Sequence, residues 1–168
     1  THSIPGSFAI AIHTPNGIIF ETGDFKFDLT PIGPVANIHK MAELGKKGIT
    51  LLLSDSTNAL QPGFSKSESS VDEALNDIVS RHHGRVIIAT FASNVDRVQQ
   101  IVNSACKYGR KVVVEGRSMV NVIKVASELG YINIPEGTLI EVEEMKNYTD
   151  EQIVLITTGS QGESMAAL

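Results

Sequence analysis

From about residue 67 onwards the chain alternates short apolar runs with helical patterns, and this alternation restricts the fold more than any other feature. The apolar runs are Val86–Ala89, Lys111–Val114 and Ile153–Ile156. Continuous apolar strands that lead into helices are typical of a parallel sheet covered on both faces. The sequence therefore predicts an α/β fold in which these three strands share one largely parallel sheet flanked by helices.

Three helical patterns accompany these strands. Their apolar positions are Val71, Ala74, Leu75, Ile78 and Val79, then Val95, Val98, Ile101 and Val102, and finally Val122, Val125 and Leu129. A capping box at Ser70 and Glu73 predicts the start of the first helix. Gly130 predicts the end of the third.

The first sixty residues follow a different pattern. Two strands, Ser7–His13 and Gly17–Thr22, flank an Asn-Gly pair, which is a strong hairpin signal. A helix that contains Val35, Ile38 and Met41 is predicted to close at Gly45, and a buried strand follows at Ile49–Leu53. The segment Gln61–Ser65 offers the best boundary, so we expect one domain at 1–64 and another at 65–168.

Composition narrows the class of protein. With 168 residues, 42% hydrophobic and 20% charged, the chain can bury a core, which excludes disorder and disulfide mini-scaffolds. No apolar run approaches the ~20 residues of a membrane span, and Thr1–Pro5 has no signal-peptide pattern. We expect a cytoplasmic protein that does not enter membranes. Because the sequence does not begin with Met, we also expect a piece of a longer protein.

The single cysteine, Cys106, excludes an intramolecular disulfide. It lies within a helical pattern, where a small buried hydrophobe is expected more often than a reactive thiol.

Charge is unevenly distributed, although the net charge is −5. Residues 81–124 carry eight basic and two acidic residues, a net +6, whereas residues 136–151 carry six acidic residues and one lysine, a net −5. Local charge governs polyanion binding, so the basic stretch predicts a nucleic-acid surface that includes Arg97 and Arg117. A solvated surface of mixed charge explains the same pattern equally well.

The loops after the predicted parallel strands are rich in small polar residues. Ligands of open α/β sheets bind beyond the carboxyl ends of the strands, where helix N-termini favour anions. These loops contain Ser93 and Asn94, Arg117 and Ser118, and Gly159 and Ser160. Phosphate is the expected ligand, although Ser93 and Ser118 could serve only as N-caps. Neither a GxGxxG nor a Walker sequence is present.

Two residues near the start have the chemistry of metal ligands. His2 and Asp24 both suit a borderline cation such as zinc, yet each taken alone reads as a surface or turn residue. Their order changes this interpretation. Thr1–Pro5, a hairpin, Thr22–Lys26 and Leu53–Ala59, followed by Thr90–Asn94 and Thr158–Glu163, together resemble the ribonuclease J family of the metallo-β-lactamase superfamily, whose members carry a β-CASP domain.

The resemblance implies a fold and a set of roles. Residues 1–64 would be the C-terminal piece of the first metallo-β-lactamase part, of αββα type, and residues 65–168 a Rossmann-like β-CASP domain truncated at its C-terminus. His2 matches a zinc ligand of the third metal motif, and Asp24 matches the bridging carboxylate of the fourth. Asp55 matches a catalytic acid that works with a later histidine. Ser93 with Asn94, and Ser160 with Gly159, match contacts to nucleic-acid phosphates.

The implied activity is that of a metal-dependent ribonuclease, both endonuclease and 5′-to-3′ exonuclease, acting in RNA processing and decay. The family implies two zinc ions, with manganese or magnesium as alternatives, RNA as the partner, and a homo-oligomer or paralogue complex of the full-length protein. This sequence lacks the His-x-His-x-Asp-His run and the later motif histidines, and Ser164 stands where proline is usual. We therefore expect an incomplete catalytic centre and no activity from this chain alone.

Three other interpretations stay open at this point. The chain could be a non-catalytic Rossmann-like module that binds a nucleotide or sugar phosphate, or a structural insertion whose loops bind nothing. It could also belong to a metallo-β-lactamase hydrolase of small esters. The Asp55 motif and the basic stretch argue against the last, because a small ester requires neither.

Overall fold

The computed structural model describes residues 2–159, which divide into two compact units. Unit 1 extends to Ser69 and unit 2 begins at Ser70. The sequence-based boundary between residues 64 and 65 lies slightly earlier, at the end of the Pro-Gly segment. No helix within residues 2–159 is long and apolar enough to cross a membrane.

Unit 1 is built on a three-stranded sheet. Strands β1 (Ile10–Thr14) and β2 (Gly17–Glu21) form the predicted antiparallel hairpin, and β3 (Leu51–Leu53) pairs parallel to β2. The strand predicted from Ser7 begins at Ile10 because β2 ends opposite that residue, at Glu21. The strand predicted from Ile49 begins at Leu51, because the chain first turns at Gly48, where φ is +85°.

Helix α1 (Ile38–Lys47) precedes β3. The side chain of Asn37 caps it by accepting a hydrogen bond from the Lys40 N–H at 2.9 Å. The prediction that the helix closes at Gly45 is wrong, since the helix continues to Lys47. Gly48 follows it with a positive φ, a conformation that glycine adopts without strain.

Unit 2 is an α/β arrangement in which all three α-helices pack into one core cluster with the sheet, and Val113 and Ile153 pack into a second cluster with Ile140. Its sheet has the order β4–β6–β5, and both neighbouring pairs are parallel, which confirms the predicted parallel sheet. The elements in chain order are α2 (Ser69–Arg81), β4 (Val86–Ala89), α3 (Val95–Lys107), β5 (Lys111–Val114), α4 (Arg117–Glu128), two 3-10 helices (Val142–Asn147 and Asp150–Gln152) and β6 (Ile153–Thr157).

The core of unit 2 lies between its sheet and helices. Val98, Ile101 and Val102 of α3 are fully buried, as are Val154 and Ile156 of the central strand β6. Burial of each such side chain stabilises a fold by about 1.5–3 kcal/mol relative to exposure. Cys106 is partly buried against this core, with its Sγ 3.5 Å from the Thr138 Oγ1.

The observed helix starts differ from the cap predicted at Ser70 and from the alternative in which Ser93 and Ser118 are N-caps. Helix α2 begins at Ser69, one residue before the predicted cap at Ser70. The N-cap of α3 is Asn94, whose Oδ1 accepts from the Arg97 N–H at 3.1 Å, so Ser93 lies outside the helix and is exposed. The N-cap of α4 is Gly116, with φ +100°, which places Ser118 inside the first turn. A cap must directly precede the first helical residue, and neither serine does.

Candidate functional site

The parallel pairing of β2 and β3 brings two sequence motifs to one edge of the unit 1 sheet. Glu21 at the end of β2 pairs with Leu53 at the end of β3. The Thr22 N–H continues the ladder by donating to the Leu53 carbonyl at 3.0 Å. The loops that carry Asp24 and Asp55 therefore leave the sheet side by side.

His2 and Asp24 face each other at this edge. The His2 Nε2 lies 3.4 Å from the Asp24 Oδ2, and the Asp24 side chain is mostly exposed. The His2 Nδ1 accepts from the Ser3 N–H at 2.7 Å and lies 3.1 Å from the Ser3 Oγ. With Nδ1 as acceptor, a neutral ring carries its proton on Nε2. Nε2 can bind a metal only in the other tautomer, in which Nδ1 is protonated and donates to the Ser3 hydroxyl instead. The pair thus offers one imidazole nitrogen and one carboxylate.

A left-handed turn places Asp24. Gly23 has φ +58°, and a Cβ at this position would lie 3.0 Å from the Phe8 carbonyl oxygen. Its N–H donates to the Glu21 Oε1 at 2.9 Å. A residue with a side chain would strain this turn, so glycine is required before the candidate ligand.

Thr22 connects the two loops, and the sequence analysis missed its role. Its hydroxyl donates to the Gly23 carbonyl at 2.7 Å and accepts from the Asp55 N–H at 3.0 Å. The only signal in the sequence is the Thr-Gly-Asp triplet itself. Nothing in that triplet indicates a partner 33 residues later.

Asp55 is held as a carboxylate by its own loop. Its Oδ1 accepts from the Thr57 N–H at 2.9 Å and from the Thr57 hydroxyl at 2.7 Å. These two hydrogen bonds lower the pKa of Asp55 below its ordinary value of 3.8, and the nearby His2 adds a smaller effect of the same sign. Asp55 is therefore ionised at neutral pH.

A cavity of about 450 Å³ lies at this sheet edge. Its walls are the ends of β2 and β3 with their loops, and its carboxylates are Glu21, Asp24 and Asp55. Glu21 is a lining residue that the sequence analysis did not identify. Within residues 2–159, no three histidine, cysteine or acidic side chains are grouped closely enough to hold a metal ion. The described residues thus provide part of a ligand set.

A second set of candidate residues lies at one edge of the unit 2 sheet. The Thr90 N–H donates to the Thr157 carbonyl, and the Glu115 N–H donates to the Ile156 carbonyl. The loops after β4, β5 and β6 therefore leave the sheet together. They carry the predicted phosphate contacts Ser93, Asn94, Arg117 and Gly159, whereas Ser160 lies outside the described residues. The side chain of Asn94 is already engaged as the cap of α3.

The basic stretch 81–124 does not form one face. Because the strands are parallel, Arg85 before β4 and Lys111 at the start of β5 lie at the amino end of the sheet, whereas Arg97 and Arg117 lie near its carboxyl end. Arg85 pairs with Asp150 at 2.8 Å, and the buried Arg110 donates to the carbonyls of His82 and Gly84. At the amino end of the sheet, Arg85 thus pairs with a carboxylate of the acidic stretch 136–151, and Arg110 is bound to backbone carbonyls.

The fold and a family match together define the class of protein. A mixed sheet followed by a parallel α/β unit is consistent with β-CASP proteins of the metallo-β-lactamase superfamily. The model of the family described as ribonuclease J, beta-CASP domain, matches residues 83–168. The chain belongs to the ribonuclease J family.

Curated relatives extend the similarity to the whole chain. Ribonuclease J 1 of Streptococcus pyogenes is 53% identical over 100% of this chain and 30% of its own length. Ribonuclease J of Synechocystis is 49% identical, and that of Thermus thermophilus 45%, again over 100% of this chain and over 26% and 29% of their own lengths. The chain thus spans less than a third of each of these relatives.

One solved structure shares the fold. It is described as a protein of unknown function from Enterococcus faecalis V583, and it matches 95% of this chain and 40% of its own with a TM-score of 0.62. The sequence identity is 17%, so this likeness concerns the fold alone.

Proposed function

We propose that this chain is part of a cytoplasmic, metal-dependent ribonuclease that cleaves RNA phosphodiesters, as endonuclease and as 5′-to-3′ exonuclease, in RNA processing and decay. The observation that carries the proposal is the meeting of His2, Asp24 and Asp55 at one sheet edge. Relatives named ribonuclease J that are 45–53% identical over the whole chain support it.

His2 and Asp24 fit a zinc site. Imidazole nitrogen and carboxylate oxygen are ligands that zinc accepts, and manganese or magnesium would favour the carboxylate more strongly. Two ions are proposed for the full-length enzyme, and they would supply Lewis acidity and an activated water. The two residues are too few to hold two metal ions, so the remaining ligands would come from sequence outside this chain.

Asp55 is proposed to act as an anion in proton transfer. Its carboxylate is kept ionised by the two hydrogen bonds from Thr57, so it does not itself release a proton near neutral pH. An ionised carboxylate can instead orient a histidine and stabilise its protonated form. The histidine would then deliver the proton to the leaving oxygen.

The two units have different proposed roles. Residues 1–64 belong to the metallo-β-lactamase part, and residues 65–168 form the β-CASP domain, with RNA as the partner. Ser93, Asn94, Gly159 and Ser160 contact RNA phosphates in this proposal, and Arg97 and Arg117 add positive charge at the same edge. The homo-oligomer or paralogue complex of the full-length protein stays a prediction.

The test is the change Asp24→Ala in the full-length protein that contains this chain. We expect the loss of bound metal, measured by elemental analysis, and a decrease of about 100-fold or more in cleavage of single-stranded RNA. Asp77→Ala is the matched control, because Asp77 is an exposed carboxylate on α2 that pairs with Arg81. Full metal content and activity in Asp24→Ala would contradict the proposal.

A second function remains for unit 2 by itself, the binding of a nucleotide or sugar phosphate without catalysis. The convergence of three strand-end loops at one sheet edge favours it. Titration with a small phosphate compound separates the two functions. Saturable binding without RNA supports this alternative, and its absence supports the nuclease.

A further inference from the structure

Three hydrogen bonds hold Thr22 between the two loops of the candidate site. Its backbone N–H donates to the Leu53 carbonyl at 3.0 Å, which extends the pairing of β2 with β3. Its hydroxyl donates to the Gly23 carbonyl at 2.7 Å and accepts from the Asp55 N–H at 3.0 Å. A hydroxyl has one proton and two lone pairs, so a single oxygen atom can make both of these bonds. Valine is close to threonine in shape but has no hydroxyl, so it can make neither.

Asp24 lies between two residues that contact Asp55. Thr22, two positions before Asp24, accepts from the Asp55 backbone N–H. The hydrogen bonds from Thr57 lower the pKa of Asp55 most, and a further hydrogen bond from the backbone N–H of Phe25, directly after Asp24, lowers this pKa in the same direction. Asp55 therefore contacts the short segment around Asp24 at both of its ends, and the positions of the two carboxylates depend on each other.

We propose that Thr22 is a positioning residue that fixes the Asp24 carboxylate, a candidate metal ligand, relative to Asp55, the proposed anion of proton transfer. The inference rests on the proposed function for the roles of these two carboxylates. In-line attack at phosphorus requires the attacking water and the leaving oxygen to lie on opposite sides of the phosphorus atom. The metal ligands and the proton-transfer group must therefore keep a fixed separation, and a displacement of about 1 Å can lower a rate by about 100-fold.

The test compares Thr22→Val with Thr22→Ser in the full-length protein that contains this chain. Thr22→Val removes both side-chain hydrogen bonds, whereas Thr22→Ser keeps the hydroxyl. With a fluorogenic single-stranded RNA and saturating zinc, we expect kcat to fall about tenfold in Thr22→Val and KM to stay unchanged, because the proposed RNA contacts are other residues. Zinc affinity, measured by competition with a chelating dye, should also fall about tenfold, because Asp24 loses part of its support. Thr22→Ser should retain the wild-type kcat and zinc affinity.

Thr14 provides a matched control beside the other end of β2, where it pairs with Gly17. Its hydroxyl donates to the Gly17 carbonyl at 2.8 Å and accepts from the Asn16 N–H at 3.2 Å. Thr14→Val therefore loses the same two kinds of hydrogen bond as Thr22→Val, but in the hairpin turn instead of the candidate site. We expect Thr14→Val to keep the wild-type kcat and zinc affinity, whatever it loses in thermal stability.

Two further measurements distinguish positioning from a loss of folding. Hydrogen exchange of the Asp55 amide should be slow in the wild type and in Thr22→Ser, and faster in Thr22→Val, because the acceptor of that amide is gone. Thermal unfolding identifies a variant that has not folded. If Thr22→Val has not folded, Thr22→Ala takes its place, since alanine also lacks the hydroxyl.

The outcomes separate the inference from the proposed function. Wild-type kcat and zinc affinity in Thr22→Val would overturn the inference, and so would equal losses in Thr14→Val or in Thr22→Ser. In each of these cases the loss of metal and activity in Asp24→Ala would still support the nuclease. If the wild-type full-length protein neither binds metal nor cleaves RNA, the proposed function fails, and the inference fails with it.

Discussion

The two units contain similar apolar strands, which are buried in unit 2 and exposed in unit 1. In unit 2, the run Ile153–Ile156 lies within β6, where Ile153, Val154 and Ile156 are fully buried. In unit 1, the run Leu51–Leu53 forms β3, and its three leucines are 47–57% exposed. Ile18 is the one buried hydrophobic side chain among residues 2–69. Unit 2 contains its own core, and unit 1 does not.

This difference in burial determines how well each sheet supports the loops that carry the candidate site residues. The loops of unit 2 stand on a closed core that fixes their positions. The loops with Asp24 and Asp55 stand on a sheet whose apolar residues face solvent, and a strand of three consecutive leucines is typical of a sheet covered on both faces. The curated relatives are more than three times as long as this chain, so we expect further sequence to cover the sheet of unit 1.

The largest expected effect is the difference between the 168-residue chain and the full-length protein. The two proposed ligands, His2 and Asp24, are too few to displace enough water from a divalent ion, so the chain alone should hold no stoichiometric zinc or manganese. It should also cleave no RNA above background, because Asp55 has no histidine partner from the later motifs. The full-length protein should do both. Elemental analysis and a cleavage assay of the two proteins measure the difference.

A positive result with the chain alone would contradict this prediction. Stoichiometric metal together with RNA cleavage that disappears in Asp24→Ala would mean that the site is complete. Asp77→Ala again serves as the control for the loss of a carboxylate elsewhere.

The next largest effect concerns the cores. Ile101→Ala should destabilise unit 2 by about 2–5 kcal/mol, because it leaves a cavity at a fully buried position. Leu52→Ala, at a position 57% exposed in this chain, should cost less than about 1 kcal/mol. Urea denaturation followed by circular dichroism measures both. Equal costs would show that unit 1 is as well packed as unit 2.

Much of the fold of unit 2 can be predicted from its sequence, and α3 buries the apolar face that the pattern predicts, including Val98 and Ile101. In α4 the predicted face is wrong, because Val125 and Leu129 are exposed and the buried residues are instead Met119, Ile123 and Ala126. Val86–Ala89 and Lys111–Val114 are strands with the predicted bounds. The alternative that Ser93 and Ser118 are N-caps is wrong by one and two residues, since serine, asparagine and glycine all suit such positions and the backbone selects among them.

The candidate site is predictable only in part. The order of the motifs, which a linear sequence shows, points to His2, Asp24 and Asp55. The Thr22 bond to Asp55 depends on the pairing of β2 with β3, which a linear sequence does not show. The division of the basic stretch between two ends of a sheet follows from strand direction, which a linear sequence does not show either.

The buried carboxylate of Asp28 makes hydrogen bonds that stabilise unit 1, which has little apolar core. Asp28 accepts from the Thr30 N–H at 3.0 Å and from the Glu68 N–H at 2.8 Å, and Lys26 pairs with Glu68. Burial raises the pKa of Asp28, but the hydrogen bonds from Glu68, Ser67 and Thr30 outweigh it and leave the pKa below 3.8. These contacts connect the two ends of the segment between residues 28 and 68.

We expect the hydrogen bonds to the Asp28 carboxylate to weaken in acid. Because the folded pKa of Asp28 is lower than the unfolded one, its stabilisation is complete above about pH 4 and is lost as the pH falls through the folded pKa. Asp28→Ala should destabilise unit 1 by about 1–3 kcal/mol at pH 7. Hydrogen exchange of the Glu68 amide at pH 3 and pH 6 measures it, with exposed Asp77→Ala as the control. Equal protection in wild type and variant at pH 6 would contradict the prediction.

The smallest expected effect is on RNA affinity at the carboxyl edge of unit 2. Replacing Arg97 and Arg117 by alanine in the full-length protein should weaken binding of single-stranded RNA for all sequences alike, since phosphate contacts carry no sequence information. Two lost contacts should reduce the slope of log affinity against log salt by about 1.4. Arg81→Ala is the control, because Arg81 pairs with Asp77 on α2 at 2.7 Å. Two outcomes would contradict the prediction: RNA affinity that does not depend on salt, or an equal loss of affinity in Arg81→Ala. Either would mean that this edge does not contact RNA and that unit 2 serves only as a scaffold.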